Sequence, residues 1–498
     1  MAVGLNRASS FALTRESTPG EYVAPTLGTQ FVPLRPGNEL SYEPEALDSD
    51  ELLNDIGAAK SFVGKESVSG THAAYLRHSG VEGQEPQLGV LFESILGSKH
   101  IAVTEYATIV GSTTKVIKVG SGIGANFVEG QAVLVKSGVG YEIRNIDSIN
   151  GDDLVLNFAL KNAPGTGINL GKVITYIPAA QGHPTFSTTK YIGGGFAKEV
   201  SAGDTVTEMS ITADANGFAE VEFSFEGTRY YFNPIIIDAT KKFLDVTDDS
   251  GAVAIQIAEG IYKTPVELAD ALHAAANAAS TEDYTITYSN ADGKFKIAST
   301  STVLTLNWNT GPNAANSIGT KIGFLVAADD SGSLTYTSDN AQTYDAPVTP
   351  VYDTADAIII KNAELFVGNV DDNTCICAQT VKITASKSVE DVDCICEETG
   401  VLEKIPTARE VTAEIASVLK KYDASLLDAL LKNSGISAML NCGPKAGGNW
   451  VPGKCFNTYF QKCTVNSYKT QGDSFVQAGF TLKGYVTSTE KDIFINFV

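Results

Sequence analysis

Between residues 101 and 232 the chain never sustains a helical period. Short runs of Val, Ile and Thr are broken by Gly120, Gly122, Gly124, Gly138, Gly140, Gly151 and Gly193 to Gly195. β-Branched runs punctuated by glycine favour strands and turns. The last run alternates cleanly: Ala219, Val221, Phe223 and Phe225 share one face, and Phe218, Glu220, Glu222 and Ser224 share the other. A chain written this way must build sheets with one buried and one wetted face. With 46 glycines and only three methionines among 498 residues, the composition fits a mainly β protein rather than a helix-rich enzyme.

Three helices interrupt the strands. Leu88, Leu91, Phe92, Ile95 and Leu96 recur at helical spacing, which predicts a helix between Pro86 in the first turn and Gly97 at the C-terminal cap. Thr264-Pro-Val-Glu267 is a capping box with proline at the first helical position, followed by an apolar stripe of Leu268, Leu272, Ala275 and Ala279. Strand signals at Tyr284–Tyr288 and Lys294–Ile297 flank it. Residues 233–345 therefore read as a small inserted α/β domain. The third helix runs to Lys432 from a candidate N-cap at Asp423, with Leu426, Leu427, Leu430 and Leu431 as its expected buried face. Residues 1–37, with Pro19, Pro25, Pro33, Pro36, Gly20, Gly28 and Gly37, read as an extended arm.

Residues 38–232 and 346–498 match each other in order. Ser67–Leu76 aligns with Glu410–Leu419, Leu91–Leu96 with Leu426–Leu431, and Phe218–Gly227 with Phe475–Gly484. Three short matches of the same type in the same order imply two copies of one β-unit, each with one flanking helix. Similar edges in one chain are most simply satisfied by ring closure, and three chains then supply six units about a pseudo-six-fold axis.

Lys and Arg total 36 against 58 Asp and Glu, a net charge of −22. That balance opposes gripping nucleic acid through its phosphates but not letting it pass. No run of about 18 apolar residues exists to span a membrane. The first residues lack the apolar core of a signal peptide, so synthesis is expected in the cytoplasm. Gly120–Gly124 lacks the helix and acidic partner of a dinucleotide loop and reads as a turn. The five histidines never fall at ligand spacing, and no Gly-x-Ser-x-Gly elbow occurs. No catalytic residue, metal site or cofactor is called for.

Cys375, Cys377, Cys394, Cys396, Cys442, Cys455 and Cys463 all lie in the last quarter of the chain. The two Cys-x-Cys pairs put thiols on one face of a strand. Buried free thiols, disulfides within or between chains, and a four-thiolate zinc site at unusual spacing all remain open.

Thr18–Leu34, the segment Glu66–Leu76 followed by Pro86–Gly97, and residues 260–340 together resemble the major tail protein, or tail tube protein, of long-tailed bacteriophages. The resemblance implies β-sandwich units flanked by one helix, rings stacked into a hollow tube in the virion tail, and inner strands closing a barrel that conducts DNA. It implies contacts with the tape measure, tail terminator and distal tail proteins, and no membrane insertion. Candidate lumen residues are Glu220, Glu222, Ser224, Glu226, Ser69 and Thr71 in one copy and Thr412, Glu414, Gln477 and Thr481 in the other, although Lys483 interrupts the second set. The loops expected to reach an adjacent ring are Pro44–Gly64, with Glu45, Asp48, Asp50, Glu51 and Asp55, and Ser386–Thr407, with Glu390, Asp391 and Asp393. The alternative is a virion surface protein that binds a host glycan through residues 233–345. A polysaccharide hydrolase ranks last, since no raised-pKa acid in a cleft is signalled.

Overall fold

The computed structural model describes residues 6–49, 60–137, 140–195, 197–344, 348–368, 375–397, 399–418, 424–471 and 477–498. The chain divides into two compact units. One comprises residues 12–188, 202–229 and 350–498, and the other comprises 1–11, 189–201 and 230–349.

The larger unit is built on these elements in chain order: β1 (Leu40–Tyr42), β2 (Val68–Tyr75), α1 (Gly89–Leu96), β3 (Gly97–Ala102), β4 (Val173–Pro178), β5 (Ala197–Asp214, in this unit from residue 202) and β6 (Ala219–Gly227). After the second unit come β7 (Ala378–Asp393), β8 (Val401–Val418), α3 (Ala424–Lys432), β9 (Ile436–Cys442), β10 (Phe456–Gln471), β11 (Gln477–Gly484) and β12 (Phe494–Phe497). Antiparallel pairing gives one continuous run, β1-β2-β6-β5-β7-β8-β11-β10. One face is apolar and buried: Val221, Phe223, Phe225, Ile211, Ile383, Ile415 and Phe480 lie on it. The alternation read at Phe218–Phe225 is the local form of this pattern.

The same four-strand arrangement occurs twice. β2 lies between β1 and β6, and β6 between β2 and β5. Likewise β8 lies between β7 and β11, and β11 between β8 and β10. Registers agree as well. Ser69 pairs with Glu226 and Thr71 with Ser224, while Thr412 pairs with Lys483 and Glu414 with Thr481. β5 shifts register between Val206 and Glu208, and β10 between Val465 and Ser467. A helix follows β2 and another follows β8.

Behind this sheet, β3 pairs with β4, β4 with β12, and β12 and β9 with β10. α1 packs Phe92 against Tyr176, Phe223 and Phe497. It ends, as expected, at Gly97 with φ of 107°, a conformation that favours glycine. It begins later than Pro86: the Pro86 carbonyl accepts from Gly89 N–H at 2.8 Å, forming a turn before the helix.

Residues 101–232, read as one stretch of strands, contain a separate body. Strands at 106–107, 169–170, 132–137, 140–150, 153–156 and 116–118 pair in that order. A bridge between Thr108 and Val119 joins the two ends, closing a small barrel around Ile117, Val133, Ile146, Leu154 and Leu170. The barrel is inserted between β3 and β4, whose Ala102 and Val173 are paired. The reading of Gly120–Gly124 as a turn holds: Gly122 and Gly124 N–H donate to the Asp152 carboxylate at 3.0 and 2.9 Å. Those two donors hold Asp152 below the usual carboxylate range.

The arm is less extended than its prolines suggest. Ser10–Arg15 is a strand in the sheet, with Ala12 and Leu13 buried. Glu16 accepts from Gly20 N–H, Ser187 Oγ and Gly203 N–H. The apolar Phe11-Ala-Leu13 run outweighs the punctuation that follows it.

The second unit has its own core, in which Leu244, Val246, Ile255, Phe295, Ile297, Leu306 and Trp308 meet α2 (Pro265–Ala279). Thr264 Oγ1 accepts from Glu267 N–H at 3.1 Å, while Glu267 accepts from Lys263 N–H rather than from Thr264. The buried stripe is Leu268, Ala269, Leu272 and Ala276; Ala275 packs against the core half-buried, as expected, and Ala279 is exposed. The hairpin Tyr284–Ser289/Lys294–Ser299 forms as expected. In α3 the candidate cap Asp423 lies outside the described residues. Leu431 is 76% exposed while Ala429 is buried, so the wetted side of this helix carries a leucine.

His72 is stacked on Phe225, and burial pushes its pKa down to about 3; His78 is pushed down to about 4. The unfolded chain binds these protons near pH 6.5 and the native one does not. The histidines therefore cost no stability above about pH 6.5, and their cost grows as pH drops from there towards 3–4. Urea denaturation across that range should show this cost, and His72→Phe should lessen it.

Candidate functional site

Successive residues of a strand point to opposite faces, so register decides which side chains meet across the long sheet. Ser69 and Thr71 on β2 face the same side as Glu220, Glu222, Ser224 and Glu226 on β6. Thr412 and Glu414 on β8 share a face with Thr481 and Gln477 on β11. The two sets are joined through β5 and β7: Glu222 opposes Ser210, Ser210 opposes Thr384, and Thr384 opposes Thr412. All ten residues thus lie on one polar face.

The seam strands add residues that sequence matching passed over: Glu208, Ser210, Thr212 and Asp214 on β5, and Lys382, Thr384 and Ser386 on β7. Their signal was present as alternation with Met209, Ile211 and Ala213 and with Val381, Ile383 and Ala385. Three of the face's carboxylates are paired: Glu220 with Arg35, Glu226 with Lys404 at 3.1 Å, and Glu410 with Lys483 at 2.9 Å. Lys483 therefore does not break the face; it neutralises a neighbour. Among the described residues this leaves Glu208, Asp214, Glu222 and Glu414 against Lys382 and Lys469.

The first expected loop contains a two-strand hairpin, Ala46–Asp48 with Ser61–Val63. It exposes Leu47, Phe62 and Val63. Glu45 bonds through its backbone to Lys65 and Gly64, and Asp48 accepts from Ser61 Oγ. Asp50, Glu51 and Asp55 lie outside the described residues. The second expected loop, Ser386–Thr407, is a long hairpin instead, because β7 runs on to Asp393 and β8 starts at Val401. Lys65 reaches Asp391 at 2.6 Å and Asp393 at 2.8 Å, Lys404 reaches Asp391 at 2.7 Å, and Arg229 reaches Glu397 at 2.9 Å. Asp391 and Asp393 are thus engaged within the chain, while Glu390 stays exposed.

At the hairpin's root, Lys387 is buried and donates to Ser94 O at the end of α1 at 2.7 Å and to Thr205 Oγ1 at 2.9 Å. His183 contacts the same Ser94 carbonyl at 2.8 Å. Burial first, and Arg409 second, push Lys387 down to about 7. All seven cysteines are free thiols: Cys442, Cys455 and Cys463 are buried, and Cys375, Cys377 and Cys396 are exposed. Burial pushes the Cys455 thiol up to about 12.

The face and hairpins belong to an assembly subunit, and comparison with known proteins agrees. A family model described as phage tail tube protein matches residues 6–255, and the chain belongs to that family. It is a structural subunit of the virion tail, not an enzyme, and assembles with copies of itself and other tail proteins. A hybrid solid-state NMR and cryo-EM structure of the SPP1 tail tube is similar over 28% of this chain and 77% of its own, at 12% identity and a TM-score of 0.21. No curated protein matches.

Lys387 yields a pH prediction. Its folded pKa lies below the unfolded value of 10.5, so the unfolded chain binds more protons between about pH 7 and 10.5. Stability should rise with pH across that window by up to about 1.4 kcal/mol per unit. Lys387→Met should lessen that rise, leaving the smaller part that buried Lys198, pushed down to about 8, supplies, as read by denaturant midpoints at pH 7 and pH 9.5.

Proposed function

We propose that three chains close into a ring of pseudo-six-fold symmetry, that rings stack into a tube, and that the polar face of the long sheet lines a lumen through which DNA passes. Two duplicated units per chain, 38–232 and 346–498, supply the six positions, with residues 1–37 as an arm and 233–345 as an insertion on the outside. The observation that carries this reading is the agreement of register and bulge between the two four-strand sets. Segments aligned by sequence alone oppose equivalent partners in both.

Eight strands per chain give twenty-four around three chains. At about 4.8 Å between strands the circumference is at least about 115 Å, and strand tilt widens it. That leaves an open bore, as barrels of 16–18 strands already do. β1 and the C-terminal half of β10 end the run and are the edges that pair between chains. Unpaired carboxylates on the face repel phosphate, and the neutral hydroxyls between them carry no positive charge to hold it, so DNA is free to slide. The exposed Leu47, Phe62 and Val63 of the first hairpin, and the hairpin 386–407, reach towards the next ring. The tape measure, tail terminator and distal tail proteins meet the tube's interior and ends.

Negative-stain imaging of concentrated protein should show hollow tubes of uniform bore with three chains per ring. Six chains per ring, or solid filaments, would refute the arrangement. Glu222→Lys with Glu414→Lys should leave assembly intact. These tubes should retain duplex DNA at low salt, and raising salt from 50 to 200 mM should release it, whereas the unaltered tube holds none.

A further inference from the structure

The two Cys-x-Cys pairs stand at opposite ends of one strand. Cys377 directly precedes β7 and Cys394 directly follows it. At about 3.3 Å per residue the strand separates them by roughly 50 Å, whereas a disulfide needs Cα atoms within about 7 Å. The pairs therefore cannot meet within one chain.

Their surroundings are complementary. At the hairpin tip, Ile395 is fully exposed between Cys394 and Cys396. The tip is shaped by Cys394 N–H donating to Gly400 O at 3.0 Å and by the Arg229–Glu397 ion pair. At the other end lies a cavity of about 300 Å³, lined by Ile360, Leu365, Ile376 and Leu440 together with Cys375 and Cys377. An apolar knob flanked by two thiols stands at one end of the strand, and an apolar socket flanked by two thiols at the other.

We propose that Ile395 of one copy seats in this socket of the copy in the next ring, and that the flanking thiols join as two disulfides, linking the tube along its length. The inference rests on the tube reading, in which the ends of a barrel strand open on opposite rims of a ring. The oxidant is a low-molecular-weight disulfide such as oxidised glutathione. Each protein–protein S–S bond forms by two exchanges through a mixed disulfide: two protein thiols are oxidised and one small disulfide is reduced to two small thiols. The site is heterologous, so linked chains grow head to tail without limit.

The test is non-reducing denaturing electrophoresis of imaged tubes after treatment with oxidised glutathione. A ladder of dimer, trimer and higher multiples that collapses under dithiothreitol is expected. Cys375→Ser/Cys377→Ser and Cys394→Ser/Cys396→Ser should each abolish it. Tubes assembled from a mixture of those two double variants should give dimers and nothing larger, because each chain then keeps one half of one junction. Tubes that form normally yet stay monomeric on the gel would overturn the linkage alone. A ladder persisting in either double variant would also overturn it, assigning the bonds to other cysteines. Chains that never form tubes would overturn the tube reading and the linkage with it.

Discussion

The pairing of β5 with β7, from Glu208 opposite Ser386 to Asp214 opposite Thr380, is the constraint on which the rest depends. It joins two four-strand sets into one sheet with a single apolar and a single polar side. Side-chain direction has a period of two, so a slip of one residue at this seam would turn half the polar residues into the core. The alternative register buries Lys382 and exposes Ile383, which opposes it on both counts.

The apolar side is held by more than area. Phe92 of α1 sits among aromatic rings from three strands, and Lys387 from the second set reaches the last turn of α1 beside the first. An amine donor at a helix C-terminus satisfies a carbonyl that the helix leaves open. Behind the sheet, the buried amides of Asn145, Asn441, Asn457 and Asn496 bond one another at 2.7 to 3.0 Å. Their mutual satisfaction fixes the small barrel against β10 and β12, since an amide left unpaired there costs more than a weak contact gains.

Much of this was legible in the sequence, for a local reason. Whether a residue points into the core is a property of parity within one strand, so Glu220, Glu222, Ser69, Thr412 and Thr481 declared their face without knowledge of partners. The helices at 89–96 and 265–279 declared themselves through spacing and caps. What the sequence did not show depends on distant partners. The barrel at 106–170 uses the same short strands and glycine turns as its flanks, and only the pairing of Ala102 with Val173 and the bridge from Thr108 to Val119 set it apart. The charge of the polar face depends on partners too, because counting carboxylates cannot reveal that Arg35, Lys404 and Lys483 pair with three of them. The two thiol pairs were visible as motifs, but their placement at opposite ends of β7 required knowing that one strand runs from Ala378 to Asp393.

The contrast between β7 and the β3–β4 junction bears on how such a chain can change over evolutionary time. Adding or deleting one residue within β7 inverts a face unless a bulge absorbs it, as where the β7–β8 ladder shifts between Ala378 and Thr380. At Ala102 and Val173 the chain leaves and re-enters the sheet at paired positions, so material of any length fits between them without disturbing parity; a whole barrel already does. Variation in length is thus channelled to a few exits from the sheet and to its bulges, and the rest of the ladder drifts by substitution. Two members of such a lineage can differ widely in size and in outer surface while keeping the same ladder, residue for residue.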